Sequence, residues 1–233
     1  MKLDRLTWPE VADYLKRDRR LIIPAGTCEQ HSKHLPLNTD TLVAEHVADY
    51  LSGETGVLVA PTINYGVNLP CDSCYAGTSS VAEADLRKTL LSLVDWWEGQ
   101  GFEQFFVVSA HGDPFHLRAL GESGRASIRL LDLYDLDLED MLDRQAGCGH
   151  ACEVETSVMM HLFPDAVRAG LVQDFETPFE EFKAYLQHQR SDAIPGSPGC
   201  QGYPSMASAA KGAEVISRIR ARALRWMTED TKL

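Results

Sequence analysis

The sequence predicts an α/β fold: one layered domain over residues 1–233, with a mainly parallel central sheet flanked by helices. Two observations carry that prediction. Four short runs are apolar throughout or nearly so, the pattern of strands buried on both faces in a parallel sheet. Between them lie longer stretches whose apolar residues recur at helical spacing, and such alternation builds parallel crossovers. Ligands in these sheets bind beyond the carboxyl ends of the strands, so residues that directly follow each run are candidates for chemistry.

The first run, Leu21-Ile22-Ile23, stops at Pro24-Ala25-Gly26, and a helix follows Thr39-Asp40 through Leu42, Val43, Val47 and Leu51. Val57-Leu58-Val59 gives a second strand. Leu86, Leu90, Leu93, Val94 and Trp97 give the next helix, with Trp96 and Trp97 read as core packing. Phe105 to Val108 ends at Ser109-Ala110-His111, and Ile128 to Leu131 ends near Asp132. Pro114 suits the first position of a helix that Asp113 would cap. Val154, Val158, Met159 and Leu162 define a helix headed by His150, Glu153 and Glu155, Glu153 being read as a solvated first-turn acid and His161 as a helix-end or core histidine. The last long run, Ser205 through Asp230, carries Ala207, Ala210, Val215, Ile219 and Leu224 along one side, for burial in its own core or against a neighbour.

An apolar content of 44% builds a sizeable core without disulfides or structural metal. Lys plus Arg total 22 against 34 Asp plus Glu, and the net charge of -12 tells against nucleic acid or an anionic membrane as partner. Small molecules are the expected ligands. The opening residues lack an apolar signal core and no apolar run reaches transmembrane length, so a cytoplasmic chain is expected. Its six cysteines, Cys28, Cys71, Cys74, Cys148, Cys152 and Cys200, are then expected as reduced thiols, with Cys28 the one sensitive to oxidation. Cys71-x2-Cys74 with Cys148-x3-Cys152 could form a four-thiolate zinc site, although their flanks lack the compact knuckle pattern.

The densest chemistry lies in C-E-Q-H-S-K-H-L-P-L-N-T-D-T, where Glu29, His31, His34 and Asp40 fall within twelve positions. Imidazole and carboxylate ligate zinc, manganese and iron, and a carboxylate-rich set suits a divalent ion that must still bind water or substrate. His111 follows its strand directly and would reach the same rim as Glu29 and His31. Gly112 lets the backbone turn, so that Asp113 could face the same ions as a ligand or serve as the helix cap.

Together, E-Q-H-x-x-H-L-P-x-x-T-D, the strand followed by H-G-D, Y-G-V-N with A-G-T-S, and H-A-C-E-V-E-T-S resemble the creatininase (creatinine amidohydrolase) family, in the family's order and over most of the chain. The late segment G-C-Q-G-Y-P-S-M-A-S-A-A-K-G-A-E-V resembles its glycine-proline turn and the helix after it. The resemblance implies two divalent metal ions, zinc, manganese or iron, in homo-oligomers that are often hexamers. Carried over by motif, Glu29 and His111 would bind one ion, His31 the other, and Asp40 would bridge them. Asp113 stands where creatininase has a glutamate ligand in H-Y-E and many relatives read H-G-G-N, which makes it a candidate for ligation and catalysis. Glu155 is the alternative carboxylate for the second ion. His150 aligns with the histidine that acts on the substrate, and His34 would orient a ligand or close the pocket.

Water shared by two cations loses a proton near neutral pH and attacks a carbonyl, and His150 would shuttle a proton to the leaving nitrogen. The expected activity is metal-dependent hydrolysis of a non-peptide C–N bond, foremost in a cyclic amide. Deformylation of a formylamino-pyrimidine, removal of a peptide fragment in maturation of a peptide-derived redox cofactor, and a catalytically silent metal-binding scaffold are the alternatives. Two departures bear on substrate. V-N-L-P-C-D-S-C-Y-A, expected to line the pocket, replaces a histidine-containing stretch of many relatives, and Asp135 to Gly149 lacks the tryptophans that close over the ring in creatininase, which tells against creatinine itself.

Overall fold

A computed structural model describes residues 1–229. Among them β1 (Arg20–Ala25), β2 (Leu58–Val59), β3 (Gln104–Ser109) and β4 (Ile128–Asp132) pair in the order β2-β1-β3-β4, and each pairing is parallel. Ile22 lies opposite Val59 on one side and Phe106 on the other. The pleat then sorts successive residues to opposite faces. Ile22, Val59, Phe106, Val108 and Leu131 enter one apolar cluster, and Leu21, Ile23, Leu58, Phe105 and Val107 enter a second. Both faces are covered, which is why the central runs contain no polar residue.

The first cluster is completed by α2 (Thr39–Thr55), α5 (Glu153–Leu162) and α7 (Ala209–Glu229), through Val47, Leu51, Val158, Val215 and Ile219. The second is completed by α1 (Trp8–Leu15), α3 (Glu83–Glu98) and α4 (Pro114–Gly121), through Tyr14, Leu86, Leu90 and Leu120. A short α6 (Phe179–Leu186) belongs to neither cluster. The chain leaves β1 for β2 through α2 on one face, and leaves β3 for β4 through α4 on the other. The winding therefore reverses between the neighbours β1 and β3, and a crevice opens beyond their carboxyl ends.

Two sequence expectations change here, and a choice left open is made. Trp97 stacks on Phe105 with ring centroids 6.2 Å apart, but Trp96 is 75% exposed, since one step along a helix turns a side chain by about 100°. Glu153 is buried rather than solvated, because Lys211 of α7 donates to its Oε1 and supplies the counter-charge. The last run packs into its own core: Val215 and Ile219 are buried beside α5, while Ala210 faces solvent; Asp230 lies outside the described residues. A Cβ at Gly212 would overlap the Ser157 carbonyl, so this contact between α7 and α5 requires glycine. His161 is exposed near the end of α5. No helix among the described residues is long and apolar enough to cross a membrane.

Candidate metal centre

The loop after β1 folds back on itself through Ser32, whose φ of 57° lies in the left-handed region. The Gln30 side chain fixes that turn, its Oε1 accepting the Ser32 N–H at 2.9 Å while its own backbone N–H donates to Thr78 Oγ1 at 2.9 Å. Gly199, at φ 102°, lies so close to the Gln30 amide that a side chain there would strike it. Thr27 Oγ1 donates to Asn68 Oδ1 at 2.9 Å and Asn68 Nδ2 donates to the Ser79 carbonyl at 2.6 Å. The Y-G-V-N and A-G-T-S segments thus brace the loop that carries Glu29 and His31.

Three stretches of chain converge on this loop. His111 arrives directly after β3, Asp40 in the first turn of α2, and Glu155 in the first turn of α5, all buried. Nδ1 of His31 lies 3.2 Å from the Glu29 carbonyl, a partner that requires an N–H, so Nε2 presents its lone pair inward. That Nε2 sits 3.1 Å from Asp40 Oδ1 and 3.9 Å from Glu155 Oε1. Likewise Nε2 of His111 donates to the Val67 carbonyl at 2.8 Å, leaving Nδ1 at 3.1 Å from Glu29 Oε2 and 3.3 Å from Asp40 Oδ2. Asp40 therefore offers one oxygen to each imidazole. The ligand atoms of Glu29, Asp40 and His111 lie within 4.8 Å of one another, and so do those of His31, Asp40 and Glu155.

Glu29 Oε2, Asp40 Oδ2 and Glu155 Oε2 are buried without a hydrogen-bond donor. Buried anionic oxygens facing imidazole lone pairs must gather positive charge, either protons or metal ions. The titration behaviour reflects that demand. Burial alone would depress His31 and His111, but Asp40 and Glu155 push His31 up to about 10, and Glu29 and Asp40 hold His111 well above the ordinary value. Asp40 is held far below the carboxylate range by His31 and His111 in spite of its burial. Glu155 is pushed well above that range by burial and by neighbouring anions, and His31 opposes the shift only in part. The donor set fits divalent cations, and nitrogen and oxygen donors of this kind suit zinc, manganese or iron.

His150 stands half-buried at the edge of the cluster, its ring 4.6 Å from that of His31. Its Nε2 lies between an acceptor, the Gln30 carbonyl at 2.8 Å, and a donor, the Gln30 side-chain amide at 2.9 Å. Burial holds its pKa below the ordinary histidine value. His34 meets Thr156 Oγ1 at 2.8 Å through Nε2, tying the loop to the α5 turn beside Glu155; burial and the charge on His31 bring it down to about 4. A cavity of about 440 Å³ opens over the cluster, with Glu29, His111, His150 and Glu155 on its floor and Phe179, Phe182 and Leu186 of α6 on its wall. From the V-N-L-P-C-D-S-C-Y-A stretch, Leu69 reaches this cavity. Asp72 stands behind it, buried, accepting from Gln30 Nε2 at 3.0 Å and raised by that burial.

Asp113 is not brought into the cluster as a ligand. Its Oδ1 accepts the N–H groups of Phe115 at 2.8 Å and His116 at 3.0 Å, and its Oδ2 pairs with His188 Nε2 at 2.6 Å. Both oxygens are committed to capping α4 and to holding the loop after α6, whereas Glu155 lies among the other donors. Among the described residues no donor cluster joins Cys71 or Cys74 to Cys148 or Cys152, which removes the four-thiolate site. Cys28 is half-buried with its thiol toward the Gly77 carbonyl, and the exposed thiol is Cys74. Sequence reasoning missed the parts played by His188, Gln30 and α6; the spacing of Phe179, Phe182 and Leu186 was the available signal for α6.

The creatininase pattern, described as creatinine amidohydrolase, matches residues 4–227. The chain is 31% identical over 240 residues to the mycofactocin precursor peptide peptidase of Mycobacterium ulcerans (strain Agy99), covering 94% of this chain and 86% of that one. It is 27% identical over 232 residues to the creatinine amidohydrolase of Pseudomonas putida, covering 89% and 86%. A solved creatinine amidohydrolase superposes with a TM-score of 0.81 at 21% identity, over 100% of this chain and 98% of that one. A zinc–zinc form of a mutant creatininase and a manganese creatininase superpose at 0.79 and 0.80, each at 21% identity; both cover 100% of this chain, with 98% and 99% of their own chains matched. Matched in this way along nearly its whole length, the chain belongs to the creatininase family and is one of that family's hydrolases.

Proposed function

We propose that the protein is a dinuclear metal-dependent amidohydrolase that cleaves a non-peptide C–N bond in a small cyclic amide. The observation that carries the reading is the pair of imidazoles, each anchored by one ring N–H on a backbone carbonyl and each aiming its other nitrogen at a different oxygen of Asp40. Glu29 and His111 would hold one cation, His31 and Glu155 the other, and Asp40 both. Two divalent cations bound there would acidify water and polarise a carbonyl. Asp113 is left to its cap.

His150 supplies the proton handling. Protonated, its Nε2 donates to the Gln30 carbonyl; unprotonated, it accepts from the Gln30 amide, so either state has a partner beside the reacting bond. Phe179, Phe182 and Leu186 would shield the apolar part of the substrate from water. In the same proposal the chain works as a cytoplasmic homo-oligomer, a hexamer by family resemblance, and the exposed Trp8 and Trp96 suit burial against a second copy.

A second reading, removal of a peptide fragment, is favoured by the room in the cavity and by the likeness to the mycofactocin peptidase. Metal analysis followed by a panel of cyclic amides, formamides and short peptides decides between them. Two ions per chain and turnover of cyclic amides are expected, and Asp40→Asn should release both ions. Two bound ions with no hydrolysis of any panel member would instead make the chain a silent metal binder.

A further inference from the structure

We propose that Cys148 and Cys152 form a thiol–disulfide exchange site for low-molecular-weight disulfides, and that its closure loosens the metal centre. The second half rests on the function proposed above; the first does not. The two Sγ atoms lie 3.8 Å apart, already in contact. Exposure, not acidity, divides the roles, since the Cys152 sulfur and burial hold the Cys148 thiol well above its ordinary range. Cys148 is half-buried and lines the cavity, so a small disulfide can reach it from solvent. Cys152 is fully buried at the N-cap of α5, where its sulfur accepts the Gly149 N–H at 3.2 Å. Cys148 is thus the sulfur that meets the reagent, and Cys152 the one that resolves.

The exchange balances as two displacements. The Cys148 thiolate attacks one sulfur of the small disulfide; that S–S bond breaks, and the departing thiolate takes up the proton that Cys148 gave up. The Cys152 thiolate then attacks Cys148 Sγ, expelling the second small thiolate, which takes up the proton from Cys152. The protein loses two protons and two electrons, and one disulfide becomes two thiols.

A disulfide spans about 2.05 Å, so the two sulfurs must close by roughly 1.8 Å. Little slack lies between them. His150 is clamped on Gln201 by backbone hydrogen bonds of 3.2 and 2.7 Å, and Ala151 is already in the left-handed region at φ 46°. The movement is therefore passed to His150 or to the first turn of α5. That turn carries Glu155, whose carboxylate lies within 4.8 Å of both sulfurs.

The test equilibrates zinc-loaded protein in glutathione buffers of rising oxidised fraction, maps the cysteines by mass spectrometry, and measures zinc retained against a competing chelator. The expected result is a Cys148–Cys152 disulfide, reversed by reduced glutathione, with zinc held about tenfold or more weakly. Cys152→Ser should stop at a glutathione adduct on Cys148 and keep its zinc; Cys148→Ser should form neither product at this site. The exchange site is overturned if Cys148 and Cys152 stay thiols while the exposed Cys74 is modified, or if Cys148 pairs with another cysteine. A disulfide with unchanged zinc retention overturns the loosening alone. Reduced protein that binds none of zinc, manganese and iron overturns the proposed function and the loosening with it, while the cysteine map still decides the exchange site.

Discussion

Asp113 and Glu155 are both acids near the start of a helix, and their fates differ through what the fold brings to them. Asp113 meets two N–H groups and His188; Glu155 meets His31 and other carboxylates. Local sequence does not distinguish these cases, because an acid after a glycine turn serves equally as ligand or cap. His188, arriving from beyond α6, decides between them. Asp113→Ala should therefore cost about 0.5–2 kcal/mol of stability in urea unfolding, as loss of a cap does, and leave metal stoichiometry unchanged. Glu155→Gln should reverse that pattern, with stability largely kept and one ion lost. His150→Ala should keep both ions and reduce turnover by roughly two to four orders of magnitude; unchanged turnover would remove His150 from proton transfer.

Among the elements, those with a continuous apolar run or a long amphipathic face were legible in the sequence. Leu21 to Ile23 and Phe105 to Val108 are buried on both sides, and burial on both sides is what a polar-free run means. The gathering of Glu29, His31, Asp40 and His111 was legible for a related reason, since each follows a strand or opens a helix at one rim. Less legible was α6: it has eight residues, and its Phe179 is 66% exposed, so no core fixed it in advance. The seating of α7 on α5 was also hidden, because it depends on a missing side chain. Gly212→Ala forces a methyl group against the Ser157 carbonyl and should cost about 1–3 kcal/mol, read as a lower denaturation midpoint. An unchanged midpoint would mean that the two helices separate freely.

At the scale of the whole molecule, charge gathered in the interior couples folding to pH. In protein stripped of metal, His31 is pushed up to about 10 from 6.5, so its protonation stabilises the fold fully below pH 6.5, and that contribution is lost as pH rises toward 10. Glu155 acts in the same direction: its carboxyl stays protonated in the fold where the unfolded chain has ionised, so stability again falls with rising pH. Asp40 is depressed, and its contribution would be lost only in strong acid. Urea midpoints of chelator-treated protein should fall between pH 6.5 and 10, while those of metal-loaded protein hold steadier because the cations replace the protons. Parallel curves would show that the cluster does not carry the coupling. The floor of the cavity is drawn from chain positions 29 to 155, and the aromatic wall from a later stretch around α6. The α6 tract supplies none of the proposed metal donors, so substitutions at Phe179 or Phe182 can reshape that wall without removing a ligand.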